Sequence, residues 1–376
     1  MNVLAQMNTA KHEQVVFVQD ADAGLRAIIA IHNTTLGPAL GGTRMYPYAT
    51  EAQALRDVLD LSRGMTYKAA AAGLDLGGGK AVIIGDPLTQ KSDALLRAYG
   101  RFVDRLAGMF YTGEDVGTDV RDMEMVRTET RYVGGLSREQ GGGGDPSPIT
   151  AYGVLQGMKA CASERWGQDS LEGRTVAVQG LGKVGWHLAE LLQEAKATVV
   201  GSDVNGDRAT HASQVLGIRT VDPDAIYDVD ADIFAPCALG GAISANTVPR
   251  LKVAVIAGSA NNQIASPSAA RLLSERGILY APDYVINAGG LMNVWVELHG
   301  YDRARALKLA GNINSNLRTV FAMARELTIP TNEAADRIAE ERLAQGARVQ
   351  SGPSRGEARD RCLPTGTADS SPQRPA

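Results

Sequence analysis

Residues 175–185 read Thr-Val-Ala-Val-Gln-Gly-Leu-Gly-Lys-Val-Gly, an apolar run that leads into the glycine pattern Gly180-x-Gly182-x-x-Gly185. A helix-like run, 186–194, follows, and a second apolar run ends shortly before Asp203. This order of strand, glycine turn, helix, strand and acid is what a fold needs to hold a dinucleotide pyrophosphate at a helix N-terminus. The alternative interpretation is a tight turn between a buried strand and a packed helix, without a ligand.

The length and composition of the chain indicate the class of protein. The chain has 376 residues, enough for two domains with full cores, and its 44% hydrophobic and 21% charged residues are typical of a soluble enzyme. The formal net charge of -4 gives no positive field that would attract nucleic acid. The segment 1–14 lacks the apolar core of a signal peptide, and no stretch is apolar over the length of a membrane span. We therefore expect a cytoplasmic protein without nucleic-acid or membrane partners.

Cysteine usage is sparse. Cys161, Cys237 and Cys362 form neither a disulfide framework nor a CxxC pair. No cluster of metal-ligand residues is visible elsewhere, so no metal site is predicted.

The pattern of apolar runs predicts an α/β protein of two domains separated by a cleft. We expect an N-terminal α/β substrate-binding and catalytic domain at 1–134 and a Rossmann-type, doubly wound dinucleotide-binding domain at 135–330. Residues 331–350 are expected to return to the first domain, and 351–376 to be a disordered tail, since this segment is rich in Pro, Gly, Ser and charge. Glycine runs at 134–135 and 141–144 mark the boundary; they suit a hinge, and the alternative interpretation is a mobile loop.

Individual elements follow from periodicity and capping signals. In the first domain, strands are predicted at 14–18, 25–31 and 81–84, and helices at 50–63 and 92–107. In the second, strands are predicted at 175–179, 198–201, 232–235, 253–257 and 278–280, and helices at 303–326 and 332–343.

Lys80 and Asp115 are candidates for acid–base chemistry. Lys80 follows three flexible glycines, 77–79, but a phosphate loop would need glycine where Leu74 stands and a hydroxyl where Ala81 stands. A desolvated lysine has a lowered pKa and can act as a base; the alternative is a solvated lysine at a strand end. Asp115 follows an apolar segment, where a carboxylate can move a proton or hold an amine; the alternative is a turn or N-cap aspartate.

Several motifs in one order resemble the glutamate/leucine/phenylalanine/valine dehydrogenase family of amino-acid dehydrogenases. The resemblance extends from about residue 12 to about residue 342. The motifs are GPALGGTR at 37–44, MTYK at 65–68, GGGK at 77–80, DV at 115–116, GLGKVG at 180–185, PCA at 236–238, ANN at 260–262 and PDYVINAGG at 282–290.

The resemblance implies a role for each residue of the reacting centre. Lys68 would grip the substrate carboxylate, helped by backbone groups of Gly41 and Gly42. Lys80 would be the lysine of low pKa that activates the water attacking the imine, and Asp115 would exchange the proton of the substrate amine. A further implied contact is a hydrogen bond from Asn262 to the substrate.

The resemblance also implies a coenzyme site. The turn would hold the pyrophosphate, Thr150 and Asn287 would lie near the nicotinamide, and Asp203 would accept hydrogen bonds from the adenosine ribose. An acid at this position repels a 2′-phosphate and favours NAD over NADP. The residues assigned to the turn are Gly180, Gly182, Lys183, Val184 and Gly185.

The implied reaction is the reversible oxidative deamination of an apolar L-amino acid to its 2-oxo acid, ammonia and NADH. Family positions that line the side-chain pocket map to Leu40, Gly113, Leu291 and Val294, which are apolar or small. Glutamate-specific relatives carry lysine at the position of Leu40, and a buried unpaired carboxylate costs several kcal/mol, which argues against glutamate. Branched-chain substrates of the leucine and valine type are expected.

An aromatic substrate stays open. Branched-chain-specific relatives often carry alanine where Gly113 stands, and glycine enlarges the pocket enough for phenylalanine or tryptophan. Members of the family assemble as oligomers, so self-association of the chain is also expected.

Overall fold

The computed structural model describes residues 2–351, with side chains through residue 348. The predicted tail lies outside this range except for its first residue, and so does Cys362. Within 2–351, every helix is too short or too polar to cross a membrane.

The first domain is built on a five-stranded mixed sheet of order β1-β2-β4-β3-β5. β1 and β2 are antiparallel, as are β2 and β4, whereas β3 runs parallel to both of its neighbours. The helices pack on this sheet. The elements are α1 Val3–Ala10, β1 Gln14–Asp20, β2 Leu25–Asn33, β3 Ala39–Tyr46, α2 Glu51–Ala71, β4 Gly77–Ile84, α3 Asp93–Asp104, β5 Phe110–Glu114 and α4 Val120–Arg127.

The predictions for this domain need several corrections, and helices α1 and α4 were not predicted at all. β3 and β5 are strands that the sequence analysis missed. β4 begins at Gly77 rather than at Ala81, so the three glycines belong to a strand and not to a flexible loop. Helix α2 begins at the predicted cap, where the Thr50 side chain accepts a hydrogen bond from the Gln53 N–H, but it continues beyond the predicted end to Ala71.

The second domain contains a six-stranded parallel sheet of order β11-β10-β9-β6-β7-β8. Counted from its first strand, this is the order of the doubly wound dinucleotide-binding fold. The strands are β6 Thr175–Gln179, β7 Thr198–Ser202, β8 Arg219–Thr220, β9 Ile233–Pro236, β10 Val255–Ile256 and β11 Leu279–Tyr280. β8 was missed because its two residues, Arg219 and Thr220, are polar and form no apolar run.

Helices cover the second sheet and continue to the end of the described chain. They are α5 Ser147–Trp166, α6 Lys183–Glu194, α7 Gly206–Leu216, α8 Pro267–Glu275, α9 Asp283–Ile286, α10 Gly289–Glu297, α11 Arg303–Gly311, α12 Ile313–Leu327 and α13 Thr331–Ser351. The single helix predicted at 303–326 is two helices, because the chain breaks at Asn312.

The two sheets share part of their apolar core. Leu40 and Tyr111 of the first sheet belong to the same buried cluster as Leu291 and Val296 of α10. The last helix also contacts the first domain: the Arg342 guanidinium donates to backbone carbonyls at the end of α2 and pairs with Asp75 at 3.0 Å. The space between the domains is therefore bounded by β3, β5, α2 and α10.

Candidate active site

Lys80 and Asp115 meet where three parallel strands lie side by side. Thr43 of β3 pairs with Ala81 of β4 on one side and with Glu114 of β5 on the other, so Lys80 and Asp115 flank β3. The Lys80 side chain is 8% exposed, and its Nζ lies 3.1 Å from Asp115 Oδ2. Burial lowers the pKa of Lys80, and the nearby Asp115 carboxylate only partly offsets this effect. The lysine is thereby shifted toward its neutral form, as a base requires.

Arg44 contacts the same carboxylate. Its Nε lies 3.0 Å from Asp115 Oδ2, and its Nη1 lies 3.0 Å from Asp57 Oδ2 on α2. Burial alone would raise the pKa of Asp115, but the charges of Lys80 and Arg44 and their hydrogen bonds outweigh burial and lower it. Asp115 is therefore an ionised acceptor at neutral pH.

Lys68 reaches from α2 to the second domain. Its Nζ donates to Asn261 Oδ1 at 3.1 Å, and the same oxygen accepts a bond from Asn287 Nδ2 at 2.8 Å. Burial lowers the pKa of Lys68 to about 8, with Asp283 opposing this shift. An ammonium in this position, near enough to Lys80 for the two charges to interact, suits a carboxylate.

Asn262, predicted at the substrate, is placed differently from its neighbour. Both residues are exposed, but the backbone of Asn262 alone is left-handed, at φ 51°. The contact with Lys68 is made by Asn261 instead. The predicted hydrogen bond from Asn262 to the substrate stays a prediction.

The glycine turn presents an open helix N-terminus. Gly182 caps α6 without a side-chain hydrogen bond. If Gly182 carried a Cβ atom, the one neighbour within 4 Å would be the Arg208 guanidinium, 4.0 Å away. A Cβ atom at Gly185 would instead lie 1.9 Å from the Gly180 carbonyl oxygen. The backbone N–H groups at this end of α6 are thus free to bind an anion, and the third glycine is needed for packing.

The other residues predicted at the coenzyme surround this turn. Asp203 follows β7 and is buried; its carboxylate accepts hydrogen bonds from the N–H groups of Leu181 and Asn205, both at 2.8 Å. Val184 is partly buried beneath the turn. Lys183 is exposed, with its Nζ 3.4 Å from Asp145.

Thr150 and Asn287 lie on the second-domain side of the cleft. Thr150 Oγ1 donates to the Pro146 carbonyl at 3.0 Å and faces Gly290 at the start of α10. Asn287 is buried, and its Nδ2 also donates to the Ser259 carbonyl at 3.1 Å.

The predicted side-chain pocket is apolar. Leu40 is 3% exposed and Leu291 is 8% exposed. A Cβ on Gly113 would meet the Gly134 carbonyl at 3.5 Å, an ordinary contact, while a Cβ on Gly134 would lie 2.7 Å from Val294 Cγ1. Val294 therefore packs directly against the backbone opposite Gly113, and Gly113 leaves room for about one methyl group.

Gly41 and Gly42, whose backbone groups are predicted to help hold the substrate carboxylate, are closely packed against neighbouring backbone. A Cβ on Gly41 would lie 1.7 Å from the Gly79 carbonyl oxygen, and one on Gly42 would lie 2.4 Å from the Glu114 carbonyl oxygen. Gly41 thus brings β3 close to β4, and Gly42 brings β3 close to β5.

Sequence reasoning gave no role to Arg44, Asp57, Asn261 or Glu297. Arg44 stands in the quoted GGTR motif, which was its only signal. Glu297 of α10 accepts hydrogen bonds from the N–H groups of Leu136, at 3.0 Å, and Gly143, at 2.9 Å. It ties the predicted hinge segment to the helix that carries Val294.

Within the described part of the chain, no three His, Cys, Asp or Glu side chains are grouped to hold a metal ion.

Comparison with known proteins places these residues in a family context. Residues 12–132 match the family model described as "Glu/Leu/Phe/Val dehydrogenase, dimerisation domain". Residues 141–207 and 206–350 match the model described as "Glutamate/Leucine/Phenylalanine/Valine dehydrogenase".

Individual proteins are similar over nearly the whole chain. A leucine dehydrogenase of Geobacillus stearothermophilus is 56% identical over 343 residues, which cover 91% of this chain and 94% of that protein. A valine dehydrogenase of Streptomyces coelicolor is 52% identical and covers 92% and 96%. The crystal structure of L-tryptophan dehydrogenase from Nostoc punctiforme superimposes with a TM-score of 0.82 at 47% identity, covering 92% of this chain and 100% of that one.

Proposed function

Because the chain belongs to the glutamate/leucine/phenylalanine/valine dehydrogenase family and is an amino-acid dehydrogenase, we propose that it oxidatively deaminates branched-chain L-amino acids with NAD. The observation that carries the proposal is the 3.1 Å contact between Lys80 and Asp115, with Lys68 reaching over the same cleft. Two amines of lowered pKa beside one carboxylate suit a zwitterionic substrate that loses protons during the reaction.

The glycine turn fits a dinucleotide. The uncapped N-terminus of α6, the open side of Gly182 and the buried carboxylate of Asp203 are the groups that would hold pyrophosphate and ribose. A nicotinamide coenzyme bound there would supply the hydride acceptor. Asp203 supports NAD rather than NADP, since its charge opposes a 2′-phosphate.

Residues of the chain would then bind the substrate and transfer its protons. Protonated Lys68 holds the substrate carboxylate, and Asp115 takes a proton from the substrate amine. After the Cα–H bond has given up its hydride, Lys80 as the free amine takes a proton from the water that adds to the imine carbon. Asp115 then returns its proton to the nitrogen, and its carboxylate takes the proton of the new hydroxyl as ammonia leaves, which gives the 2-oxo acid.

A substrate panel tests the proposal. Purified protein with NAD is expected to form NADH with L-leucine and L-valine, faster as pH rises through the lowered pKa of Lys80, because the neutral amine is the base. NADP should be a poor substitute. Reduction of NAD by 2-hydroxy acids but by no amino acid would contradict the proposal. Faster turnover of L-phenylalanine or L-tryptophan than of L-leucine would favour the aromatic alternative.

Gly113→Ala should narrow the substrate range. The added methyl fits at 3.5 Å from the Gly134 carbonyl and occupies space in the pocket rather than in the core. We expect kcat/KM for L-phenylalanine to fall about tenfold relative to that for L-leucine, in line with about 1–3 kcal/mol per methylene. The KM for NAD serves as the control and should stay unchanged. An equal loss for both amino acids would place Gly113 outside the pocket.

Self-association is also part of the proposal. The first domain matches a model described as a dimerisation domain, and β1 lies at the edge of its sheet with Phe17 49% exposed. An edge strand with an exposed aromatic residue suits pairing with a second copy. Light scattering of the purified protein should give a multiple of 39.7 kDa. A cytoplasmic location is proposed as well, consistent with the free, buried thiol of Cys161.

A further inference from the structure

Two cations share one oxygen of the proton-exchanging carboxylate. Lys80 Nζ lies 3.1 Å from Asp115 Oδ2, and Arg44 Nε lies 3.0 Å from the same atom. Like charges placed this close compete for the oxygen and repel each other. Only the lysine can relieve the conflict by losing a proton, because a guanidinium stays charged in proteins.

Arg44 is held where it is by a second anion. Asp57 of α2 lies 3.0 Å from Arg44 Nη1, and the Tyr48 hydroxyl donates to the same carboxylate oxygen of Asp57. The Arg44 side chain is 23% exposed and spans from α2 to the end of β5. A planar guanidinium bonded at both ends fixes the direction of Asp115, which a single flexible lysine would not do.

We propose that Arg44 is a positioning residue: by sharing the Asp115 carboxylate it keeps Asp115 from being the exclusive partner of Lys80, so that Lys80 can release its proton while Asp115 is held in place for the substrate amine. The inference rests on the proposed function. Without Arg44, the Asp115 carboxylate would form an ion pair with Lys80 only. An unshared carboxylate stabilises the charged form of Lys80 and so opposes release of its proton.

The other charges around Lys80 act in defined directions. Arg44 opposes its protonation and Asp57 favours it. Lys68, from α2, adds a further positive charge near Lys80. The titratable and charged groups around this cluster are Lys80 of β4, Arg44 of β3, Tyr48 before α2, Asp57 and Lys68 of α2, Asp283 of α9, and Glu114 and Asp115 at the end of β5.

The test is the pH profile of kcat/KM for L-leucine oxidation in the full-length protein. For Arg44→Met, the acidic limb should move to higher pH by about one unit, since a charge is lost within a few ångströms of Lys80. At a pH below the limb this amounts to about a tenfold loss of kcat/KM. Arg44→Lys should restore part of the shift.

Two further variants separate this role from structural damage. Asp57→Asn keeps the charge of Arg44 and removes a negative charge, so the acidic limb should stay or move to lower pH even if kcat falls. Arg26→Met removes an arginine from an exposed ion pair with Glu51 and should leave the profile unchanged.

The outcomes are distinguishable. An acidic limb that does not move in Arg44→Met, or that moves to the same extent and in the same direction in Asp57→Asn, overturns the inference. If Arg44→Met does not fold, as judged by circular dichroism, Arg44→Lys and Asp57→Asn decide: the acidic limb must rise by less than one unit in Arg44→Lys and must not rise in Asp57→Asn. Failure of the unaltered protein to oxidise any amino acid would instead overturn the proposed function.

Discussion

Lys80→Ala is expected to lower kcat for amino-acid oxidation by about three orders of magnitude, within the range that a general base contributes. The lysine is 8% exposed, and no other amine lies as close to Asp115 among the described residues. Alanine leaves the imine without a base for the attacking water. The measurement is steady-state formation of NADH together with NAD binding by fluorescence or calorimetry.

Coenzyme binding should survive in Lys80→Ala, because the glycine turn belongs to the other sheet. Lys196→Ala is the matched control: this lysine pairs with Glu172 at 3.0 Å but is 71% exposed, so turnover should stay unchanged. Undiminished turnover in Lys80→Ala would remove the lysine from the mechanism. Loss of NAD binding would show that the substitution damaged the fold.

The dinucleotide-binding sheet is the part of the fold that the sequence predicts best. β6 has the predicted bounds, and the turn after it and Asp203 after β7 lie where the pattern requires. The signal is local, since strand, glycine turn and helix are adjacent along the chain. β10 and β11 are shorter than predicted because apolar flanks continue beyond the paired residues.

The first domain was harder to predict because its glycines do not resemble strand residues. β3 contains Gly41 and Gly42, and β4 starts with three glycines, a composition depleted in strands. The reason for these glycines is the close approach of segments distant in sequence: a Cβ on Gly78 would lie 2.1 Å from the Thr66 backbone nitrogen. Such contacts exist only in the folded chain.

In the candidate site too, local motifs identify residues, whereas contacts between distant segments appear only in the folded chain. Lys68, Lys80 and Asp115 were found through motifs, but neither motif nor spacing reveals that Arg44 and Lys80 meet on one oxygen. The sequence likewise does not reveal that Lys68 donates to Asn261, the neighbour of the predicted substrate residue Asn262. Side-chain direction within a known motif is set by backbone geometry that the sequence does not specify.

Gly41→Ala is expected to destabilise the protein by about 3 kcal/mol or more and to abolish most activity. The new Cβ would lie 1.7 Å from the Gly79 carbonyl oxygen, a backbone atom that cannot rotate away. β3 and β4 would have to separate next to Lys80, which moves the lysine relative to Asp115. Urea unfolding followed by circular dichroism measures the first effect and NADH formation the second.

Gly64→Ala makes the same chemical change without the contact. Gly64 lies inside α2, where a Cβ would meet no atom within 4 Å, and alanine is the better helix former. This variant should be stabilised by about 0.5–1 kcal/mol with unchanged activity. Opposite changes in the free energy of unfolding of the two variants would show that the close approach of β3 to β4, and not glycine as such, holds Lys80 and Asp115 together. Equal stability of the two variants would contradict this reading of the site.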